Sequence, residues 1–354
     1  MAGRLPSPSK RSWLPVAIAL AAALACVALT RNGDPSPLAQ RRPAQAPAAL
    51  MPSPTLAPVT PPAEGHTSEP AADPFQGRWD RMNAQLETEA RRFPGRIAIF
   101  TKDLKRGWEW SYHSDDLFPS ASLIKVPVMI GVFEKINRGE MALGQQLQLK
   151  RRLRAGGSGS LKWSRDGIKL TVRQLLDHLI MESDNTAMRI LIDEVGIGYL
   201  QRQFQRIGLV YTEIYPEGLS LSSSRVRYEN FTTAREMSML MEKIYRGEMV
   251  DRFSSGLMLE ILKQKKAPSR LAKHLPIGWQ IAHKTGLLRR ACHDSAVIFS
   301  PEGDYLITVL TGQNTDYSSA KDHIARLGAI TYDHYKGRRD LYYAKAGAGH
   351  AKGR

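Results

Sequence analysis

The sequence predicts an α+β fold, with one antiparallel sheet built from both ends of the folded region and flanked by helices. An all-helical subdomain is inserted between the two halves of the sheet. Three observations point there. Short strand-like runs open the region (96–104 and 107–114), and three more close it together (279–285, 294–300 and 305–311). Between them, apolar residues recur at helical spacing over long stretches. No internal repeat is present. Strands at the ends with helices between favour one antiparallel sheet built from both ends of the chain around a helical insertion. Such a layout leaves a cleft between sheet and helices, the natural place for a site.

Taken in order, the 354-residue chain begins with Arg4, Lys10 and Arg11, followed by the uncharged run WLPVAIALAAALACVALT at 13–30. A basic start before such a run reads as an export signal or an uncleaved anchor. About 18 apolar residues is the lower edge for a membrane span. The expectation is a signal-anchor over 1–31, with the rest exported to the periplasm or another extracytoplasmic space and tethered to the inner membrane. Cleavage at Ala23-Leu24-Ala25 and lipidation of Cys26 are the alternatives. Residues 32–75 hold roughly half of the 21 prolines, with Ala, Ser and Thr. That composition gives an extended tether rather than a core. The folded domain is expected over 76–343, and the last residues, 344–354, form a disordered tail.

Within the domain, Trp79, Met82 and Leu86 mark a helix over 77–92. The first two strands turn at Lys105-Arg106-Gly107. Ser122 opens a helix that runs to about Asn137 and is ended by Gly139. Thr171 is a plausible N-cap for a helix over 171–182. Further helices are expected at 186–195, 197–207, 232–246, 253–265 and 317–336.

Composition narrows the function classes. The net charge of +16 allows nucleic acid, an anionic membrane surface or an anionic wall polymer as partners, or simply a solvated basic surface. No zinc-finger spacing, RNP-like run or basic reading helix accompanies the charge, so no nucleic-acid partner is expected. Of the two cysteines, Cys26 lies in the N-terminal apolar run, which leaves Cys292 alone in the domain. That excludes an internal disulfide framework. With no clustered Cys or His, no metal and no cofactor are expected. A monomer is the expected assembly.

Three short motifs carry the chemistry. Ser122-Leu123-Ile124-Lys125 puts a hydroxyl and an amine one helical turn apart. A serine needs a base to become a nucleophile. A lysine set among Leu123, Ile124, Val126, Val128 and Met129 can be that base if burial lowers its pKa. Ser183-Asp184-Asn185 follows a helix, and Lys284-Thr285-Gly286 ends a strand. Each motif alone is ordinary: a surface lysine, a turn, an edge residue before a turn. All three in this order are not.

Together they resemble the class A β-lactamases and related penicillin-binding peptidases, whose three motifs are S-x-x-K, S-D-N and K-T-G. The resemblance spans about residues 77–337. It implies that Ser122 is the acylated nucleophile and Lys125 its base or proton relay. Ser183 would pass the proton to the leaving nitrogen, and Asn185 would hold Lys125 and a substrate amide. Lys284 and Thr285 would bind the substrate carboxylate, and Gly286 would let the strand approach the acyl group. The oxyanion hole would be the N–H groups of Ser122 and Leu287. On charge grounds, Lys284 should also help depress the pKa of Lys125.

The pattern departs from the family at one point. Class A enzymes clear the acyl-enzyme with a loop glutamate before a helix that starts near a Thr-Thr pair. Here Thr232-Thr233 fits that entry, and the glutamate should lie about 14 residues upstream. Glu217 is close, but it follows Pro216 instead of preceding a proline. Glu229 is a second carboxylate in the region, set aside as too near the helix. His283, His293 and Asp294 invite a Ser-His-Asp triad, but no G-x-S-x-G elbow accompanies them. The glycine-rich stretch 156–160 and Trp163 are expected at the cleft mouth.

The expected activity is amide hydrolysis through an acyl-serine, with β-lactam opening as the first reading. A D-alanyl-D-alanine carboxypeptidase acting on peptidoglycan stem peptides, slow to release β-lactams, is the alternative. A non-enzymatic anchored binding protein is the third.

Overall fold

The computed structural model describes residues 75–216, 229–264 and 267–336. The expected anchor, tether and tail lie outside the described residues, as does Glu217. Among the described residues, no helix is long and apolar enough to cross a membrane.

Helix α1 (Gln76–Arg91) leads into the antiparallel pair β1 (Arg96–Asp103) and β2 (Glu109–Tyr112). After the helical middle come β7 (Gln280–Leu288), β8 (Ala291–Phe299) and β9 (Tyr305–Gly312), then α8 (Tyr317–Tyr335). The sheet order is β2-β1-β9-β8-β7, antiparallel throughout. Strands from the two ends of the domain therefore meet at β1 and β9, where Ile97 faces Thr311 and Ile99 faces Val309. β7 is an edge strand, which leaves one side of its backbone open to the helical part.

The sheet is covered on both faces, and strand periodicity sorts its residues between them. On β9, Leu306 and Leu310 join the core shared with the helical part. Tyr305, Ile307 and Val309 turn to the opposite core, against Trp79 and Leu86 of α1 and Ile324 and Tyr332 of α8. Double coverage explains why every residue of β8 except Phe299 is buried. It also explains why these strands read as continuous apolar runs.

The inserted part carries α2 (Lys125–Asn137), α3 (Val172–Met181), α4 (Asn185–Val195), α5 (Ile197–Arg206), α6 (Ala234–Arg246) and α7 (Arg252–Lys263). Thr171 caps α3 as expected. Its hydroxyl accepts from Gln174 N–H, while Gln174 reaches back to the Thr171 N–H. The insertion is not purely helical. Two short ladders run through it, β3 (Phe118–Pro119) with β6 (Phe231–Thr232) and β4 (Gln146–Gln148) with β5 (Lys169–Thr171). Two- and three-residue pairings are too short to show a period in sequence. The first of them matters most, because it fixes the approach to Ser122.

Candidate active site

Ser122 does not begin an α-helix. It sits in a 3₁₀ turn, Ala121–Ile124, and α2 starts only at Lys125. The tighter turn has three residues per turn, so positions i and i+3 eclipse. Ser122 and Lys125 are thereby brought into line, with Nζ 3.1 Å from Oγ.

Three contacts hold this turn. The Ser120 N–H donates to the Asn230 carbonyl at 2.6 Å. His293 Nε2 donates to the Pro119 carbonyl at 2.8 Å, while its Nδ1 accepts from Thr311 N–H. Burial pushes His293 down to about 4, so the ring is neutral at pH 7 and can serve as donor on one side and acceptor on the other. Gly286 lies against the turn from β7. A Cβ there would sit 3.2 Å from Ala121 Cβ and 3.0 Å from His293 Cδ2. Ala121 itself is held at φ +48°, a left-handed backbone unusual for alanine.

The S-D-N segment meets Lys125 from the other side. Lys125 is 1% exposed, and its Nζ donates to the Ser183 carbonyl at 2.5 Å and to Asn185 Oδ1 at 2.6 Å. Ser183 Oγ lies 3.1 Å away. Burial pulls the amine down from 10.5 to about 7, against the Asp184 carboxylate, which raises it. Burial is the cause that lowers it. Lys284, also 1% exposed, donates to Ser183 Oγ at 2.9 Å and to its neighbour's carbonyl, Thr285 O, at 2.8 Å. Ser183 Oγ is thus flanked by two lysine nitrogens.

Ser183 adopts φ +55°, which turns the chain sharply from α3 into α4. Asp184, fully buried, caps α4 by accepting from Ala187 N–H, and its second oxygen accepts from Leu161 N–H. Asn185 donates to the Gly156 carbonyl from Nδ2 and to Ser158 O from its backbone. These bonds draw the glycine-rich stretch against the site. Gly159 has no alternative there, since at φ +99° a Cβ would overlap Asp184 Oδ2 at 2.0 Å. His178, Glu182 and Asp184 bring ligand-type atoms within 4.8 Å of one another. Both oxygens of Asp184 and of Glu182 already accept hydrogen bonds, however.

A cleft of about 280 Å³ opens over Ser122 and Lys125. Gly157, Ser158, Asn185, Met188, Glu229, Leu287, Arg289 and Tyr317 are among its lining residues. The structure therefore joins Ser122, Lys125, Ser183, Asn185 and Lys284 in one hydrogen-bonded chain. It sets Thr285 beside that chain, Gly286 against the nucleophile turn, and Leu287 on the cleft wall. Trp163 is 82% exposed and stands beside Lys162.

The triad reading finds no support. His283 Nδ1 pairs with Asp294 Oδ1 at 2.9 Å, both buried, and Asp294 Oδ2 accepts from Leu271 N–H. Alternation along β7 puts His283 on the face opposite Lys284, away from Ser122.

Glu229 was the residue sequence reasoning passed over. It is half-buried and lines the cleft, and burial raises its carboxyl above the usual range, opposed by a hydrogen bond from the Asn230 N–H. Its nearness to α6 had counted against it. The β3–β6 ladder, invisible in sequence, folds that stretch back beside Ser120.

Comparison with known proteins gives a consistent picture. The sequence model of the β-lactamase enzyme family matches residues 81–335. β-Lactamase VEB-1 of Pseudomonas aeruginosa is 23% identical over 272 residues, covering 72% of this chain and 91% of that protein. β-Lactamase AER-1 of Aeromonas hydrophila is 24% identical over 256 residues, covering 70% and 84%. Among solved structures, PBP-A superposes with a TM-score of 0.66 at 26% identity, covering 72% of this chain and 95% of that one. A β-lactamase from Sphaerobacter thermophilus gives 0.66 at 25%, covering 72% and 96%.

Proposed function

This chain belongs to the β-lactamase enzyme family, and on that footing we propose that it is a serine hydrolase that opens β-lactams through an acyl-serine on Ser122. The observation that carries the proposal is the Lys125 amine, buried and brought to about 7. A neutral amine has two N–H donors and one lone pair. The Ser183 and Asn185 oxygens, at 2.5 and 2.6 Å, take the two donors. The lone pair is then left for the Ser122 hydroxyl at 3.1 Å. Lys125 takes the Oγ proton as Oγ attacks the lactam carbonyl. The N–H groups of Ser122 and Leu287 receive the developing oxyanion. Ser183, within 3.1 Å of Lys125 Nζ and 2.9 Å of Lys284 Nζ, hands a proton to the departing nitrogen. Lys284 and Thr285 offer charge and a hydroxyl to the substrate carboxylate.

The proposal extends to location. The basic start and uncharged run at 13–30 support an exported protein held at the inner membrane, with 32–75 as spacer. The catalytic unit is taken to be a monomer.

Intact mass spectrometry after addition of a penicillin tests the chemistry. The expected result is an adduct on Ser122 that is absent from Ser122→Ala, together with nitrocefin turnover by the unmodified protein. A protein that neither forms the adduct nor turns over nitrocefin overturns the reading. The cell-wall peptidase draws on the same residues, and a long-lived adduct without turnover would favour it.

A further inference from the structure

We propose that His293 is a positioning residue for acylation, its imidazole clamping one peptide unit of the nucleophile turn to the sheet; this rests on the acyl-serine reading above. The Pro119 carbonyl and the Ser120 N–H belong to the same planar peptide unit. His293 Nε2, from β8, lies 2.8 Å from the Pro119 oxygen. The Asn230 carbonyl, just before β6, lies 2.6 Å from the Ser120 nitrogen. The unit is thus held on both edges by segments remote in sequence, and Ser122 follows two residues on. Ala121, the link between, sits at φ +48°. A left-handed alanine persists where its surroundings over-determine it. Any tilt of the clamped plane passes through Ala121 to the Ser122 hydroxyl and to the Ser122 N–H.

Two backbone groups fix the form of the ring. Its Nδ1 lies 3.2 Å from the Thr311 nitrogen on β9, while its Nε2 faces the Pro119 carbonyl. A peptide N–H only donates and a peptide carbonyl only accepts. Nδ1 must therefore be bare, and Nε2 must carry the proton. The other neutral tautomer reverses both bonds, and the imidazolium sets an N–H of its own against that of Thr311. The surroundings favour the clamping form. The ring is fully buried. Gly286 of β7 is its cross-strand partner, and Phe118 of β3 meets it edge-on with centroids 6.2 Å apart. Gly286, Thr311, Phe118 and Pro119 carry no charge. Burial and the Arg270 guanidinium both oppose a second proton on the ring. The neighbouring Asp294 is committed to His283 and to the Leu271 N–H. His293 thus acts on Ser122 through the backbone of the turn, not as a base on its hydroxyl.

The test separates the two bonds of the ring, using the full chain. His293→Asn places an amide oxygen near the Nδ1 position, so it keeps the acceptor for Thr311 and loses the donor to Pro119. His293→Gln reaches the Nε2 position with its amide nitrogen, so it keeps the donor and loses the acceptor. Each gives up one buried hydrogen bond, and the two are expected to unfold at similar urea midpoints. Acylation, followed by stopped flow with nitrocefin and by intact mass after penicillin, is expected to part them. His293→Gln should stay within about tenfold of the parent, while His293→Asn falls by about 10²-fold, the cost of a misplaced reacting group. The loss should appear in the rate at saturating substrate and not in the substrate affinity. Nitrogen NMR of the parent should show His293 protonated at Nε2 and bare at Nδ1 near neutral pH. A merely structural role would make the acylation losses alike in both variants, following their unfolding midpoints. That result overturns this inference and leaves the acyl-serine reading standing. So does parent-rate acylation by His293→Asn, or a ring protonated at Nδ1. Absence of any adduct on the parent protein overturns both.

Discussion

Lys125 Nζ and Asn185 Oδ1, on two buried side chains, lie 2.6 Å apart, and the amide of Asn185 joins the Ser183 carbonyl in orienting the lysine. The same side chain spends its Nδ2 on the Gly156 carbonyl. Both ends of one amide are committed, so its orientation is determined by its partners.

Asn185→Ala frees one of the two donors that keep the Lys125 lone pair toward Ser122. Acylation by nitrocefin, followed by stopped flow, is expected to slow by about 10²-fold. Loss of the buried hydrogen bonds should cost about 1–3 kcal/mol in urea unfolding. Acylation at the parent rate would show that Ser183 alone orients the lysine.

The pH dependence follows from the same lysine. Its amine must be neutral to accept a proton, so acylation should rise with pH through about 7 and level off above it. Stability follows the same titration. The folded-state value lies below the unfolded one, so between about 7 and 10.5 the unfolded chain holds the extra proton. The native protein therefore gains stability as pH rises through that window, and the penalty is full below it. Lys125→Met lacks this titration. Its stability relative to the parent should be most favourable at or below pH 7, and that difference should fall by up to about 5 kcal/mol on approach to pH 10.5. A difference that does not vary with pH would show that Lys125 titrates normally.

Gly286 sets how closely β7 can approach the nucleophile turn. Gly286→Val has to push the strand away from Ala121 and His293. The expected outcome is an acylation rate lower by about 10²-fold and a stability loss of about 1–3 kcal/mol. Comparison of kcat/KM with the thermal midpoint separates the two effects.

His283→Gln addresses the discarded triad. The His283–Asp294 pair is structural, joining β7 to β8 on the face away from the cleft. Thermal unfolding should show a loss of about 1–3 kcal/mol, while the acylation rate stays within a few-fold. A 10³-fold drop in acylation with an intact fold would restore the triad.

The sequence by itself determined the α+β architecture and the motif residues. The strand-like runs at 96–104, 279–285, 294–300 and 305–311 fall on β1, β7, β8 and β9, and caps such as Thr171 mark the helices between them. Ser122, Ser183 and Lys284 stand out because their three motifs occur together in one order. What only the tertiary structure decided depends on contacts between distant segments. Ser122 lies in a 3₁₀ turn because Asn230, His293 and Gly286 hold it there, and none of these is its neighbour in sequence. The Lys125 amine is lowered by burial, and burial depends on what the whole chain packs around it. Glu229 reaches the cleft through a two-residue ladder between Phe118–Pro119 and Phe231–Thr232. A pairing that short leaves no period to read, yet it brings Glu229 into the lining of the cleft that holds Ser122.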